Sequence, residues 1–324
     1  MPWIPILWWL DKVHTEVFTF SLLAIALALV SSRPWLASIA AALASTQNPP
    51  IAVLIPLIVL LFPEARTRRA VPWIAASVAL ALLHPSYYLW RIGRWTPLLE
   101  SDLRIPTLTR FFAVLFDLNI GLLVNAPLFV LAAGAGAMVA VRAGIARKRE
   151  MLLAVLAGAV FLFSFAQTMN VNHGGTPTMS RYALWLIPLV MPFLPGRSIE
   201  GSRHSLEWIF TGCAIGSAML SLMWFRPSLP EDSVTPTRVA MYQWTHYPGL
   251  LNPVPEIFAE RLRHQDGVNL LAATPGCEKV LLKGGVWPDP CAPVEIPGWC
   301  KGPDVLCYAN RAAGGYAFVT ALRR

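Results

Sequence analysis

The residues of this chain that could do chemistry stand in short polar stretches at the edges of apolar segments. One of these is NVNHGGTPTMSRYALWLIP, residues 170–188, where His173 and Arg181 precede an apolar run. Arginine presents a planar fork of donors that suits phosphate, and Tyr182 follows it directly. An arginine at the end of an apolar helix can also extend outward only to hydrate its charge. The stretch therefore predicts either a phosphate-binding edge or a hydrated turn.

Three further polar stretches have the same position relative to apolar runs. They supply Asp11 and Glu16 in DKVHTE, Gln47 and Asn48 in STQNPP, and Asp117 and Asn119 in FDLNIG. Each stretch also has a purely structural interpretation. An acid before a helix complements the helix dipole, amides can satisfy backbone groups freed by prolines, and Asp and Asn are turn formers.

Composition indicates the environment of these groups. Of the 324 residues, 56% are hydrophobic and only 14% are charged, whereas soluble domains carry about a quarter charged residues. The mean hydropathy is +0.53. The net charge of +8 comes from short Arg and Lys clusters between apolar runs, as in membrane proteins. We therefore expect a membrane protein and no nucleic-acid partner.

The apolar runs predict about seven transmembrane segments in an all-α polytopic domain over residues 1–225. The segments are 17–32, 35–62, 71–90, 121–141, 151–168, 181–195 and 206–225. Pro49 and Pro50 divide residues 35–62, so this segment is expected to enter and return as a broken hairpin. Residues 107–120 predict an amphipathic helix on the outer membrane face.

The distribution of positive charge predicts the topology. The short loops of one side hold Arg33, Arg66, Arg68, Arg69, Arg142, Arg147, Lys148, Arg149, Arg197 and Arg203. That side is expected to be the cytoplasmic side of a bacterial-type inner (plasma) membrane, which puts all the polar stretches outside. The outer face then also carries Arg91, Arg94, Arg104 and Arg110, against the usual trend. Such charge suggests contact with lipid headgroups or with an anionic lipid-linked substrate.

From residue 226 the composition changes to that of a small extracytoplasmic domain, residues 226–324. It predicts short strands, loops and a helix near 253–264. Four of the five cysteines lie here, at positions 277, 291, 300 and 307, without the spacing of a zinc site. Outside the cytoplasm they predict two disulfides, with three possible connectivities. Cys213 lies in an apolar run and is expected to be a packing residue.

No motif of soluble enzymes occurs in the chain, because GxGxxG, GxxxxGK[ST], HExxH and GxSxG are all missing from it. The chain resembles instead the GT-C superfamily of membrane glycosyltransferases, whose donors are polyprenyl-phosphate-linked sugars. The resembling stretches are TEVFTFSLLAIALAL, SIAAALASTQNPPIAVLIPLIVLLF, FDLNIGLLVNAPLFVLAA and GGTPTMSRYALWLIPLVMPFL, which cover most of residues 10–195.

This resemblance implies transfer of a sugar from a polyprenyl-phosphate donor to an extracytoplasmic glycan, lipid or protein acceptor. It assigns the acidic catalytic role to Glu16 and Asp11. It assigns substrate binding to Arg181, His173, Gln47, Asn48, Asp117, Asn119, Arg91 and Tyr182. The role of a divalent metal stays open, and no metal ligand is assigned.

The chain departs from the superfamily at its start, where the usual first-loop acid has no counterpart. The resemblance therefore implies either that an upstream portion is absent from this chain or that the protein is an inactive remnant. Two other functions stay open, namely a polysaccharide polymerase or ligase and a non-catalytic or degenerate membrane subunit. A transporter is disfavoured, because its spans would carry ionisable residues.

Overall fold

The computed structural model of the chain describes most of its residues. The described positions are 15–96, 106, 108–128, 130–131, 133–134, 148–168, 171–172, 179–193, 212, 215–216, 219, 223, 234–246, 254–264, 279–283, 285, 295–303, 305–312 and 315–323. The following residues singled out above lie outside them: Asp11, Arg104, Arg142, Arg147, His173, Arg197, Arg203, Cys213, Cys277 and Cys291.

The N-terminal part is helical wherever it is described as regular structure. Its helices are α1 (Glu16–Leu29), α2 (Pro34–Ser45), α3 (Leu54–Leu61), α4 (Val71–Ile92), α5 (Leu108–Phe116), α6 (Leu122–Asn125), α7 (Lys148–Ala166) and α8 (Arg181–Leu186). Short 3-10 helices adjoin them at Pro49–Val53, Pro63–Arg66 and Pro188–Phe193. The helical class predicted for this part is thus confirmed for the described residues.

The broken hairpin predicted over residues 35–62 is present. Helix α2 ends at Ser45, and the next three residues turn the chain, with the N–H of Asn48 donating to the carbonyl of Ala44 at 3.1 Å. The two prolines then begin the 3-10 helix Pro49–Val53, which leads into α3. Proline is tolerated at such a start because the first helical N–H groups have no partner within the helix.

One helix of the described part is long and apolar enough to cross a membrane by the combined test of length and composition. It is α7, with 19 residues and a mean hydropathy of 1.8 in its best window. Shorter apolar helices are Glu16–Leu29, Pro34–Ser45, Pro49–Leu61 and Arg181–Phe193. Helix α4 is longer, with 22 residues, and Ser77 is its one buried residue. Residues 206–225 are described only at a few positions.

The apolar core lies where α1, α2, α3, α7 and α8 meet. Helix α2 contacts both α1 and α4, and its Ala37, Ala41 and Ala44 have no exposed surface. Such small side chains allow helix backbones to approach closely. Larger side chains, Phe161 and Phe165 of α7 among them, fill the other side of the core.

The C-terminal part combines two helices with a small sheet. Helices α9 (Arg238–His246) and α10 (Pro255–Arg263) precede strands β1 (Lys279–Lys283), β2 (Val305–Ala312) and β3 (Gly315–Arg323). The sheet is antiparallel in the order β1-β2-β3, with an irregularity in the β2–β3 register between Tyr308 and Ala309. The predicted helix near 253–264 and the predicted short strands are confirmed.

A disulfide joins Cys300 to Cys307 and ties a short 3-10 helix (Gly298–Cys300) to β2. Both cysteines are buried. One of the two predicted disulfides is therefore present, and the other two cysteines of the tail lie outside the described residues.

Candidate functional site at the edge of the helical part

The first turn of α1 and the start of α8 meet at an acid–base pair. The Oε1 atom of Glu16 lies 4.0 Å from the Nε atom of Arg181, which is an ion-pair distance but too long for a hydrogen bond between these two atoms. Glu16 is 2% exposed, while the side chain of Arg181 is 34% exposed. A buried carboxylate is thus paired with a cation that solvent or a ligand can still reach.

Aromatic side chains hold Arg181 in position. The guanidinium carbon of Arg181 lies 5.1 Å from the ring centroid of Tyr182, and Nη2 donates to the tyrosine hydroxyl at 3.3 Å. The Tyr182 ring stacks on Phe165 with centroids 4.7 Å apart and meets Trp185 edge-on. Both arrangements are favourable for aromatic pairs. Ser180 caps α8, its Oγ accepting from the N–H of Tyr182 at 3.3 Å.

The turn of the broken hairpin reaches the same helix as Glu16. Asn48 donates from Nδ2 to the hydroxyl oxygen of Thr19 at 2.6 Å, and Thr19 is fully buried about one turn after Glu16. Gln47, by contrast, is exposed and has no described side-chain hydrogen bond. Of the two amides predicted to line the site, Asn48 fixes α1 against the hairpin, and Gln47 lies at the surface.

Asp117 and Asn119 build the turn after α5 and attach the C-terminal part to it. The Oδ1 atom of Asp117 accepts from the N–H groups of Asn119 at 2.7 Å and Ile120 at 3.2 Å. The Oδ1 atom of Asn119 accepts from the N–H of Thr237, whose hydroxyl donates to the carbonyl of Leu118. Burial raises the pKa of the Asp117 carboxyl, although the two backbone hydrogen bonds act in the opposite direction.

A buried polar network attaches α10 to Asn172, which lies between α7 and α8 in the chain. Asn172 donates from Nδ2 to Glu260 at 2.7 Å and from its backbone N–H to Glu256 at 3.2 Å. Its Oδ1 atom accepts from Nε of Arg261 at 2.8 Å, and Arg261 also donates to the carbonyl of Thr235. Arg261 is 1% exposed. Buried charges need such partners, because an isolated one is costly.

Arg110 of α5 completes this network. Its Nη1 atom lies 3.7 Å from Oε2 of Glu256, and its other nitrogens donate to the carbonyls of Ala166 and Thr168 at the end of α7. Burial raises the pKa of Glu256 to about 7, although the Asn172 hydrogen bond and the charge of Arg110 lower it. The arginine side chain is mostly buried, so its charge serves this internal contact.

The remaining predicted site residues do not join the Glu16–Arg181 pair. Arg91 is exposed in the last turn of α4. Asp11 and His173 lie outside the described residues. Sequence reasoning missed Thr19 as a contact of the site, and it missed Glu256, Glu260 and Arg261, because charged residues on an amphipathic helix usually face solvent. The mixture of Pro, Glu and Arg in PEIFAERLR carries no local signal of burial.

Within the residues that the structure describes, no group of three or more His, Cys, Asp and Glu side chains is arranged to hold a metal ion. Comparisons of the chain with protein-family models, with curated proteins and with solved structures found no significant match. The function is therefore argued from the site itself.

Proposed function

We propose that this protein is a membrane glycosyltransferase that transfers a sugar from a polyprenyl-phosphate donor to an extracytoplasmic acceptor. The observation that carries the proposal is the pairing of buried Glu16 with partly exposed Arg181 at one edge of the helical part. A carboxylate can act as a general base, and a guanidinium can stabilise a phosphate that departs. The pair places a candidate base and a candidate phosphate ligand at the same edge of the helical part.

Helix α4 does not meet the combined test of length and composition that α7 meets, but the spacing of its tryptophans supports a membrane-crossing role. Trp73 stands near its start and Trp90 near its end, and both are exposed. The 17 residue steps from Trp73 to Trp90 correspond to roughly 25 Å of helix, close to the thickness of the hydrocarbon core. Tryptophans at both ends of a span lie at the two membrane interfaces. An arginine cluster at positions 66, 68 and 69 precedes the helix, as expected on the cytoplasmic side.

An apolar groove supports the lipid character of the donor. It has a volume of about 450 Å³, and its walls include Phe111, Leu115, Leu162, Leu189 and Val190. Its lining is entirely apolar, as an isoprenoid chain requires. Leu189 follows Arg181 by eight residues across α8 and the start of the adjoining 3-10 helix, which is roughly 12–14 Å of chain. A polyprenyl chain in the groove would therefore bring its phosphate toward the arginine.

In the proposed reaction the anomeric carbon of the sugar exchanges its bond to the phosphate oxygen for a bond to the acceptor oxygen. The acceptor hydroxyl oxygen attacks this carbon while its proton passes to the carboxylate of Glu16. The bond from the anomeric carbon to the phosphate oxygen breaks, and the bonding electrons leave with the lipid phosphate. Arg181 stabilises the negative charge that accumulates on this phosphate. Tyr182 holds the guanidinium in position.

The proposal is tested with the full chain in lipid nanodiscs. The wild-type protein should bind polyprenyl phosphate, the part that all such donors share. Membranes that contain the protein should transfer labelled hexose or pentose from a polyprenyl-phosphate donor to non-lipid products. We expect Glu16→Gln to keep binding but to lower transfer by roughly 10²–10⁴-fold. Glu64→Gln is the matched control, because Glu64 is an exposed acid in a short helix. Equal transfer by the Glu16→Gln variant and wild type, or no binding of polyprenyl phosphate, overturns the proposal.

A further inference from the structure

A second recess lies between α5 and the C-terminal helices. It is a cleft of about 380 Å³, within the size range of ligand sites. Its lining is mainly apolar and includes Leu108, Phe112 and Phe116 on the α5 side. Trp244 of α9 and Val254, which precedes α10, line the opposite side. These last two side chains are each 1% exposed, so they form the floor of the cleft.

The polar groups of the lining are engaged within the protein. The carboxyl group of Asp117 accepts from the backbone N–H groups of Asn119 and Ile120, and a side-chain hydrogen bond also joins it to Asn119. Gln243 is buried and has an interaction of its own. The cleft therefore offers a ligand chiefly apolar contacts. The ligand class that matches it is a hydrocarbon, because burial of apolar surface is favourable and needs no polar partner.

Helix α5 presents an apolar stripe at the mouth of this cleft. Leu108, Phe112 and Phe116 follow one another at intervals of four residues, so they share one face of the helix. Their side chains are 78%, 43% and 51% exposed. Phe116 lines the apolar groove as well as the cleft. The two recesses therefore lie on either side of one exposed apolar stripe, and exposed patches of this kind mark contact with a membrane or a partner.

The attachment of α5 identifies the membrane as the source of the occupant. Arg110 of α5 donates to the carbonyls of Ala166 and Thr168, at the end of α7, the helix that is long and apolar enough to cross a membrane. The end of a span lies at the boundary between hydrocarbon and headgroups. An amphipathic helix fixed at this boundary has its apolar face among the acyl chains. This step rests on the membrane location in the proposed function.

We propose that the cleft binds an acyl chain of a membrane phospholipid. The chain enters past the apolar stripe of α5 and ends against Trp244 and Val254. The site is preformed, because Thr237 at the start of α9 is hydrogen-bonded to Asn119 and to Leu118 in the turn after α5. A lipid bound in this way attaches the C-terminal helices to the membrane surface.

The test places the full chain in phosphatidylcholine nanodiscs that contain a small share of a phospholipid with a diazirine in the middle of its acyl chain. After irradiation and digestion, mass spectrometry locates the labelled residues. We expect label on Trp244 or Val254, in addition to the surfaces that the bilayer covers. Because both side chains are buried, an acyl chain that only lies against the outside of α5 does not reach them.

A charge in the wall of the cleft should expel the chain. We expect Thr109→Asp to lower the label on Trp244 and Val254 about fivefold or more, since a carboxylate in an apolar site is costly. Thr109→Val should keep the label, and Thr109 is an exposed residue of the lining. Val239→Asp is the matched control, because Val239 is exposed on α9 outside the lining. Thermal unfolding checks the fold of each variant, and Phe112→Ser is a second variant with the same expected loss.

The outcomes separate this inference from the proposed function. Label confined to the outer surfaces, or label on Trp244 and Val254 that neither Thr109→Asp nor Phe112→Ser lowers, overturns the acyl-chain site alone. Label at the floor from a diazirine-bearing polyprenyl phosphate, with none from the phospholipid, also overturns it, because the cleft then belongs to the donor. Acyl label that Thr109→Asp removes, without any binding of polyprenyl phosphate to the protein, supports the cleft and overturns the donor site.

Discussion

The backbone N–H of Ser180 donates a 3.0 Å hydrogen bond to the backbone carbonyl of Ile120. Ser180 caps the helix that Arg181 begins, and Ile120 lies in the turn that Asp117 organises. Because the bond joins two main-chain atoms, it sets the distance between the two segments whatever their side chains do. The turn after α5 is therefore joined directly to the start of the helix that carries Arg181.

The fork geometry of Arg181 should matter for phosphate binding. We expect Arg181→Lys to weaken the binding of polyprenyl phosphate about tenfold and Arg181→Gln to weaken it more, because lysine cannot make the bidentate contact and glutamine has no charge. Binding is measured by titration of the full chain in nanodiscs. Arg149→Lys is the control, since Arg149 is an exposed arginine in the first turn of α7. Unchanged affinity in both Arg181 variants would contradict this role.

Stability should depend on pH through Glu256. Burial raises the pKa of Glu256 from its ordinary value of 4.5 to about 7 in the folded protein. Between pH 4.5 and pH 7 the folded state therefore binds more protons than the unfolded state. The contribution of this group to the free energy of unfolding is therefore largest below pH 4.5 and falls as the pH rises through 7. Arg110, Glu260 and Asn172 surround the carboxyl group.

Replacing Glu256 should flatten this dependence. We expect Glu256→Gln to reduce the loss of stability between pH 5 and pH 8, measured by protection of residues 234–264 against limited proteolysis. Glu295→Gln is the control at an exposed acid. An identical pH profile for wild type and Glu256→Gln would show that this carboxyl group does not control the attachment of α10.

The turn after α5 needs a glycine at position 121. A Cβ atom there would lie 2.4 Å from the carbonyl oxygen of Asp117 and 2.9 Å from that of Leu115. We expect Gly121→Ala to destabilise the protein by roughly 1–3 kcal/mol, as overpacking usually does, in thermal or denaturant unfolding. Gly134→Ala is the control, because nothing lies within 4 Å of its added Cβ. Equal stability of the two variants is the result that this steric explanation does not allow.

The number of free thiols tests the second predicted disulfide. With Cys300 joined to Cys307, the tail has only Cys277 and Cys291 left to pair. We expect the denatured, unreduced protein to expose one reactive thiol, that of Cys213, and the reduced protein to expose five. Three thiols before reduction would mean that the Cys300–Cys307 bond forms alone. Alkylation followed by mass spectrometry gives the count.

Local patterns were sufficient to predict most helices. The apolar runs predict α1, α2, α3 and α7, and Pro49 with Pro50 predicts the break of the hairpin, because proline interrupts a helix whatever surrounds it. The amphipathic spacing of residues 107–120 predicts α5, and the change of composition after 225 predicts strands. The four cysteines of the tail predict two disulfides, of which the Cys300–Cys307 bond is present. All of these depend on neighbours in sequence.

Contacts between distant segments depend on the tertiary structure. The sequence by itself identified Glu16 and Arg181 as candidate functional residues. Only the packing of α1 against α8 brings Oε1 of Glu16 to within 4.0 Å of Nε of Arg181. Glu256 and Arg261 have the pattern of a solvated helix face, yet docking of α10 buries them against Asn172. Burial of a charge is decided by which partners the fold supplies, and no spacing rule along the chain contains that information.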